Sequence, residues 1–312
     1  MGHMRRFAAL VVAFFTTTIL AVAAPKVPVA KAVAKPVPSR TTTAEKPESP
    51  GIARPFAAAA YDPSGVPEVS AAAFVLCDAV TGRVLLERNA DEPRAVASTQ
   101  KLLTALIIAQ EGGLNTNVTT TSEDSRCEET KVGFHDGEVY RRYDLLRLLL
   151  VKSMNDVARC LARDNAGSIA AFAQKMNEKA REIGMKRSNF VNPNGLTEPG
   201  QYSTARDMAR LGLHAYRDRV LRGFMATKVV AWRSASGKVT PFENTNKLLK
   251  YLGLCNGMKT GYTEAAGHCL VSSAADGGRQ VVCVVLGERH RESIWTDSYK
   301  LLTYGLAQMK GE

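Results

Sequence analysis

The sequence places a serine and a lysine three positions apart, at Ser98 and Lys101. On a helix such positions share a face, with Cβ atoms about 5–6 Å apart. A serine hydroxyl is a good nucleophile only when a base removes its proton, and a neutral lysine amine can be that base. Burial and a nearby cation both favour the neutral amine. The pair indicates covalent catalysis; a helix-capping serine with a solvated lysine is the alternative that the spacing leaves open.

A second pair of polar residues, Ser153 and Asn155, falls where two predicted helices join. Because the connection is tight, both side chains can face one cleft, where a hydroxyl can relay a proton and an amide can hold a carbonyl group. Helix capping accounts for the same residue types, since Ser153, Asn155 and Asp156 are all good N-cap residues. Both interpretations stay open.

A third group, Lys259, Thr260 and Gly261, lies in a strand-like run after a turn. An ammonium group and a hydroxyl can bind a carboxylate, and a neighbouring glycine lets a substrate backbone pair as an added strand. Strict alternation sends Thr260 to the opposite face from Lys259, so a substrate role for Thr260 requires local twist or a strand end. A surface strand with a solvated lysine is the alternative.

Hydrophobic patterning predicts the elements that hold these groups. Short apolar runs around Thr81-Gly82 indicate a hairpin in a buried sheet. Residues 143–152 are apolar on nearly all sides and predict a buried helix, whereas the Asn/Pro/Gly-rich residues 189–201 predict a long ordered loop. The predicted strands are Ala73–Asp78, 83–88, Cys255–Thr263, 268–274 and 280–286, and the predicted helices are 98–111, 143–152, one starting at Asn155 or Asp156, 168–183 and 292–309.

The order of these elements predicts an α/β (α+β) fold. Strands at both ends of the chain build an antiparallel sheet flanked by helices, and a mostly helical lobe at about residues 113–225 is inserted in it. A cleft is expected between the sheet and the lobe.

The N-terminal region has the pattern of an export signal. Arg5 and Arg6 precede an apolar stretch, and Ala21 and Ala23 give an Ala-x-Ala-like cleavage site. We predict a signal peptide at residues 1–23, with an uncleaved membrane anchor as the alternative. Residues 24–64, rich in Ala, Pro and Lys, predict a flexible linker, and residues 65–312 the catalytic domain.

The chain is basic, with 41 Lys and Arg against 30 Asp and Glu and a net charge of +11. This excess suits an anionic partner such as a cell-wall polymer or a membrane surface. Nucleic acid is not predicted as a partner, because no basic stripe interleaved with aromatic residues is present. A hydrophobic content of 45% argues against a disordered chain.

Cysteine and histidine spacing predicts neither a metal site nor a cofactor. None of the six cysteines has CxxC spacing. Cys77, Cys269 and Cys283 lie in apolar strand-like runs, which predicts buried free thiols. The histidines that we interpret as structural are His135, His214, His268 and His290.

The three polar groups occur together, and in the same order, in class A β-lactamases and penicillin-binding proteins. The chain resembles the low-molecular-mass penicillin-binding proteins, specifically the D-alanyl-D-alanine carboxypeptidase family. The likeness covers about residues 70–309 and implies a β-lactamase/transpeptidase-like fold. It is also carried by residues 97–104, 153–156, 192–196, 203–207, 244–249 and 257–267.

The resemblance implies roles in proton transfer. Ser98 is the expected acyl-accepting nucleophile and Lys101 its base. Ser153 is expected to relay a proton to the leaving D-Ala. The charge of Lys259 is expected to help keep Lys101 neutral.

The resemblance also implies substrate-binding roles. Asn155 is expected to bind the substrate amide, and Lys259 and Thr260 the terminal carboxylate. Gly261 is expected to let the substrate approach. The expected oxyanion hole consists of the backbone N–H groups of Ser98 and Tyr262.

The implied activity is that of a serine-type D-Ala-D-Ala carboxypeptidase without a cofactor. It would act on peptidoglycan stem peptides, be trapped by β-lactams and work in the periplasm in cell-wall biogenesis and cell shape. Membrane contact is expected only through the N-terminus, if this is uncleaved. An endopeptidase of D-Ala cross-links is the nearest alternative; a β-lactamase and a non-catalytic wall-binding protein are more distant ones.

Two positions modify these expectations. Many relatives have a small residue where Met154 stands, so a bulkier cleft wall is expected. A β-lactamase needs a carboxylate base on the loop that faces the serine, and Glu198 is the only carboxylate in residues 188–203. Because Pro199 and Gly200 follow it, we interpret Glu198 as a solvated loop charge.

Overall fold

A five-stranded antiparallel sheet with strand order β2-β1-β9-β8-β7 forms the centre of the fold. A computed structural model of the chain describes residues 65–128 and 130–309. The predicted signal peptide at residues 1–23 and the predicted linker at residues 24–64 lie outside the described residues. Within the described part, no helix is long and apolar enough to cross a membrane.

Strands from both ends of the described part of the chain lie in the same sheet. The strands are β1 (Ala73–Asp78), β2 (Val84–Arg88), β3 (Asn117–Thr119), β4 (Val139–Arg141), β5 (Val229–Arg233), β6 (Val239–Glu243), β7 (Cys255–Thr263), β8 (Gly267–Asp276) and β9 (Arg279–Glu288). The helices are α1 (Lys101–Glu111), α2 (Arg142–Lys152), α3 (Asn155–Ala166), α4 (Ile169–Glu182), α5 (Ala205–Arg217), α6 (Arg219–Met225), α7 (Leu248–Tyr251) and α8 (Ser293–Gln308).

The sheet has an apolar layer on each face, and strand alternation sorts its side chains between them. On β1, Val75 and Cys77 belong to a large core shared with α1 to α6, whereas Phe74 and Leu76 belong to a second core beneath α8. Both layers exclude water from the strands. The sheet is therefore a fixed platform from which the residues of its edge strand β7 can project.

The helical part packs through α2, whose leucines are fully buried, and through the amphipathic helices α3 and α4. Ser168 caps α4 by accepting a hydrogen bond from the Ala171 N–H at 3.1 Å, and Gly184 follows the helix with a φ of 82°. These are ordinary start and stop signals for a helix. The same part of the chain also contains the two short hairpins β3-β4 and β5-β6.

The predicted fold class is confirmed: helices cover both faces of an antiparallel sheet whose strands come from both ends of the described part of the chain. Strand β7 has the predicted bounds, and helices α1 to α4 and α8 lie where periodicity predicted helices. One detail is wrong. The first hairpin is not buried throughout, because β2 is an edge strand with exposed and half-buried residues.

Candidate active site

Ser98 lies at the N-terminal approach to α1, in the short 3-10 helix Ala97–Gln100. The peptide around it is tightly enclosed by two glycines. A Cβ atom on Gly195 would lie 2.2 Å from Ala97 O, and one on Gly261 would lie 2.8 Å from Ser98 N. No side chain fits at either position, so the loop and β7 both run directly against the Ser98 backbone. Ser98 itself is half-buried.

Lys101 is fully buried, which excludes the solvated lysine considered above. Its Nζ lies 2.7 Å from Ser98 Oγ and 2.8 Å from Asn155 Oδ1, and it also contacts the Asn194 carbonyl oxygen. The amide and carbonyl oxygens can only accept hydrogen bonds, whereas the serine hydroxyl can donate one. A neutral amine has two N–H groups for the oxygen acceptors and one lone pair that can accept the proton of the Ser98 hydroxyl. The contacts therefore suit a base poised to take the Ser98 proton.

The electrostatics of Lys101 agree with this geometry. Burial holds the pKa of Lys101 well below its ordinary value, and the positive charge of Lys259 lowers that pKa further. Cys127 and Asp156 act in the opposite direction. A lysine with a depressed pKa is a stronger candidate for a general base at neutral pH than a free one.

Ser153 and Asn155 lie at the junction of α2 and α3. Ser153 adopts a left-handed conformation with a φ of 71° and ends α2, and Met154 precedes α3 without a side-chain capping bond. Ser153 and Asn155 therefore do not act as side-chain N-caps there. Instead, Ser153 Oγ accepts a hydrogen bond from Lys259, and Asn155 contacts Lys101. Both side chains face the cleft.

Lys259 is fully buried in β7 and points toward the helical part of the fold. Its Nζ donates to Ser153 Oγ and to the Thr260 carbonyl oxygen, both at 2.8 Å. Burial lowers the pKa of Lys259 to about 7. The interpretation of Lys259 as a solvated surface lysine is therefore excluded.

Thr260 reaches the cleft although strand alternation turns it away from Lys259. Because β7 is the last strand of the sheet, its free edge is open to the cleft. Thr260 Oγ1 donates to Thr245 Oγ1 at 2.7 Å across that opening. Two residues further, Tyr262 is 58% exposed and its ring stacks on His268 at 4.4 Å.

A single cleft of about 1310 Å³ collects these residues between the sheet and the helices, as the order of elements predicts. Ser98, Ser153 and Asn155 line it from one side. The edge strand lines it from the other. Lys101 and Lys259 have no exposed surface, and each contacts a serine hydroxyl group that lines the cleft. The strand residues in the cleft wall are Thr260, Gly261, Tyr262 and Thr263.

Several residues in or beside the cleft were not predicted as parts of the site, and four of them are placed by specific contacts. Asn194 presents its backbone carbonyl oxygen to both Lys101 Nζ and Ser98 Oγ. Gly195 allows the loop to approach, and Thr245 pairs with Thr260. His268, interpreted as structural, lines the cleft. The only local signal was the Asn-Pro-Asn-Gly turn at residues 192–195, because a backbone carbonyl contact leaves no trace in residue type.

Two further expectations are tested by burial. Met154 lines the cleft, as expected, but it is only 4% exposed because most of its side chain packs in the large core. Glu198 is exposed, as expected for a solvated loop charge. The loop at residues 189–201 is held by polar contacts, among them Gly195 N donating to Asn192 Oδ1 at 2.8 Å.

Metal-ligating side chains do not gather in residues 65–128 or 130–309: no group of three His, Cys, Asp or Glu residues could hold an ion there. All six cysteines are free. Cys77, Cys269 and Cys283 are buried, which confirms the prediction for these three. Burial raises the pKa of the Cys269 thiol to about 11, so it is protonated at neutral pH.

The architecture and the serine–lysine cleft together are those of the penicillin-binding protein and DD-peptidase class of folds. The family model described as D-alanyl-D-alanine carboxypeptidase matches residues 59–290. The chain belongs to this family.

Individual relatives agree with this assignment. D-alanyl-D-alanine carboxypeptidase DacF of Bacillus subtilis is 33% identical over 239 residues, which cover 75% of this chain and 61% of the relative. The D-alanyl-D-alanine endopeptidase of Escherichia coli is 32% identical over 81% of this chain and 84% of the relative. The crystal structure of D-alanyl-D-alanine carboxypeptidase DacD from Francisella tularensis matches with a TM-score of 0.73 and 28% identity, over 77% of this chain and 71% of that one. The chain spans about three fifths of the length of DacF.

Proposed function

We propose that the chain is a serine-type D-Ala-D-Ala carboxypeptidase that acts on peptidoglycan stem peptides through an acyl-enzyme, and that β-lactams acylate the same serine. One observation carries the proposal: the fully buried Lys101 amine lies 2.7 Å from Ser98 Oγ, with a pKa well below its ordinary value. A half-exposed serine hydroxyl beside a buried neutral amine is activated as a nucleophile, because the amine can take its proton.

The acylation step begins at Ser98. Its Oγ attacks the carbonyl carbon of the penultimate D-Ala while its proton moves to Lys101 Nζ. The oxyanion that forms lies at the backbone N–H groups of Ser98 and Tyr262, where preorganised donors stabilise developing charge. Breaking the C–N bond releases the terminal D-Ala, whose amine receives, through Ser153, the proton that Lys101 took from Ser98.

Substrate binding uses the edge of β7. The peptide backbone pairs along Gly261, where the missing side chain keeps the strand against Ser98. The terminal carboxylate lies at Thr260 and is attracted by the Lys259 charge, while the Asn155 amide holds the substrate carbonyl. In a second half-reaction, water attacks the acyl carbon and gives a proton to Lys101. The C–O bond to Ser98 then breaks, the shortened peptide leaves as a carboxylic acid, and Ser98 Oγ regains a proton from Lys101.

A penicillin-labelling experiment tests the proposal. The wild-type chain is expected to gain the mass of one penicillin, and Ser98→Ala is expected to gain none. Ser236, exposed in a turn far along the sequence, supplies the matched control Ser236→Ala, which is expected to label like the wild type. Lys101→Met is expected to slow labelling about 10²–10⁴-fold, the usual effect of losing a general base. Labelling of Ser98→Ala at the wild-type rate would show that Ser98 is not the nucleophile.

An endopeptidase acting on D-Ala cross-links is the second candidate, and the similarity to the Escherichia coli endopeptidase over 84% of that relative supports it. A cleft of about 1310 Å³ is large enough for a branched peptide. Chromatography of products from a pentapeptide and from a cross-linked dimer separates the two activities. Release of D-Ala from the pentapeptide supports the carboxypeptidase; cleavage of the dimer alone supports the endopeptidase.

The setting of this activity is also a proposal. We propose that residues 65–312 are the catalytic domain, with the lobe at about 113–225 inserted in the sheet, and that residues 1–23 direct export to the periplasm or another extracytoplasmic site. In that location the enzyme would trim stem peptides during cell-wall biogenesis and influence cell shape. The net charge of +11 suits contact with an anionic wall polymer.

A further inference from the structure

Asp156, in the first turn of α3, is a fully buried carboxylate. Within the described residues it has no cationic partner at ion-pair distance. Its carboxylate accepts hydrogen bonds from the N–H groups of Val132 and Gly133 at 2.8 Å and of Val157 at 2.9 Å, and from Ser125 Oγ at 3.4 Å. Burial raises the pKa of Asp156, and these N–H donors oppose the rise. A buried charge without a counter-ion is costly, so its presence calls for a role.

Three of those four hydrogen bonds come from one stretch, residues 125–128 and 130–133, which we call the rim segment. Glu128, Thr130 and Lys131 of this segment line the cleft. Thr130 has a φ of 67°, an unfavourable conformation for a β-branched residue, which only its surroundings can maintain. The hydrogen bonds of Asp156 therefore hold one wall of the cleft in place.

The rim segment is also hydrogen-bonded to Asn155, which in turn contacts Lys101. Asn155 N donates to the Thr130 carbonyl oxygen at 2.7 Å, and Asn155 Oδ1 accepts from Lys101 Nζ at 2.8 Å. A contiguous path of hydrogen bonds thus runs from Asp156 through the rim segment and Asn155 to the candidate base. The charged and titratable groups that act on the Lys101 amine are Lys259, Cys127 and Asp156.

We propose that Asp156 is a positioning residue for acyl transfer. Its carboxylate holds the rim segment and Asn155 in place beside Lys101, and its negative charge acts on the Lys101 amine. This inference rests on the proposed function.

Asp156→Asn removes the charge and keeps nearly the same shape. Because a negative charge stabilises protonated Lys101, its removal makes Lys101 lose its proton at a lower pH. The acid limb of the pH profile for penicillin acylation is therefore expected to shift to lower pH. The maximal rate is expected to fall by up to about 10²-fold, the effect of displacing a reacting group by about an ångström.

Asp156→Glu separates the effect of the charge from the effect of positioning, because it keeps the charge and displaces it by one methylene group. This variant is expected to keep the acid limb of the wild type while its maximal rate falls. It also keeps the inference testable if Asp156→Asn does not fold.

Asp124 supplies the matched control. It is another buried carboxylate at the start of the same stretch of chain, where it accepts from Thr121 N at 2.9 Å and pairs with Arg163 at 2.8 Å. It is not among the groups that act on the Lys101 amine. Asp124→Asn is expected to lower the free energy of unfolding and to leave the acid limb unmoved.

An NMR titration of ¹³C-labelled lysine, with the Lys101 signal assigned by Lys101→Met, follows the same proton without requiring activity. A lower midpoint for Lys101 in Asp156→Asn supports the inference even if the wild type is not acylated, an outcome that would defeat only the proposed function. An unchanged Lys101 midpoint in Asp156→Asn would overturn the inference. It would also be overturned if Asp124→Asn shifted the midpoint as much as Asp156→Asn does, or if Asp156→Glu shifted the acid limb.

Discussion

Lys259 Nζ lies 2.8 Å from Ser153 Oγ, although 106 residues separate the two in the chain. The contact joins the edge strand β7 to the end of α2, and so crosses between the sheet and the helices behind the cleft. It places an ammonium group next to the hydroxyl that we propose as the proton relay. Neither Lys259 nor Lys101 has exposed surface, and the charge of Lys259 lowers the pKa of Lys101.

Lys259→Ala is expected to impair substrates with a free terminal carboxylate more than substrates in which that carboxylate is amidated. The charge of Lys259 contributes to binding only when the substrate carries the opposite charge. Steady-state kinetics on a matched pair of peptides measures the difference as the ratio of kcat/KM values. If amidation changes kcat/KM equally in the wild type and in Lys259→Ala, Lys259 does not bind the carboxylate.

Lys259→Met is expected to change the free energy of unfolding so that its difference from that of the wild type favours the variant more at pH 7 than at pH 10. Burial lowers the pKa of Lys259 from 10.5 to about 7, so between these values the unfolded chain binds a proton that the folded protein does not. The wild type therefore loses stability as the pH falls through this window, by an amount on the order of 5 kcal/mol at most. Urea unfolding of both proteins at the two pH values measures the change. A stability difference independent of pH would show that the Lys259 pKa is not depressed.

The sequence predicted the elements whose signals are local. Strand β7 is bounded by turns, and α4 has both a capping serine and a terminal glycine, so their bounds follow from nearby residues. Helix α5 was overlooked although it carries a comparable signal: Thr204 accepts from Asp207 N, and Met208 and Leu211 are spaced for one buried face. The short hairpins β3-β4 and β5-β6 have few residues and little apolar alternation, and their formation depends on the helices beside them.

The candidate site was predictable to the extent that it depends on residue type. Ser98, Lys101, Ser153 and Lys259 have side chains that suggest chemistry, and the structure brings all four behind or into one cleft. The contributions of backbone atoms were not predictable. The Asn194 carbonyl oxygen contacts Lys101, which is 93 residues away in the sequence, only because the loop folds against α1. No side-chain type indicates that contact.

Gly261→Ala is expected to slow acylation by about 10²-fold, because displacing a reacting group by about an ångström has effects of that size. The new Cβ would lie 2.8 Å from Ser98 N and 2.9 Å from Thr99 N, so β7 must move away from the nucleophile. Gly223, in α6, has open space where a Cβ would stand, with no neighbouring atom within 4 Å, and Gly223→Ala is the matched control. Stopped-flow measurement of penicillin acylation compares the variants. A wild-type rate for Gly261→Ala would show that the approach of β7 to Ser98 does not limit acylation.

The distinction between a peptidase and a β-lactamase depends on how long the penicilloyl-Ser98 adduct survives. A β-lactamase hydrolyses it quickly, with a glutamate on the loop beside the nucleophile that activates water in class A enzymes. In this chain Glu198 is exposed and is followed by Pro199 and Gly200, which is a poor support for a base that must be held within about 0.5 Å. We therefore expect a long-lived adduct in the wild type.

Intact-protein mass spectrometry after a short penicillin pulse follows the adduct directly. Glu198→Gln is expected to leave its lifetime unchanged, and so is Glu264→Gln, a control at an exposed glutamate that lines the cleft. Rapid return of the wild type to its unmodified mass, abolished by Glu198→Gln and kept in Glu264→Gln, would instead identify Glu198 as a deacylating base and the chain as a β-lactamase.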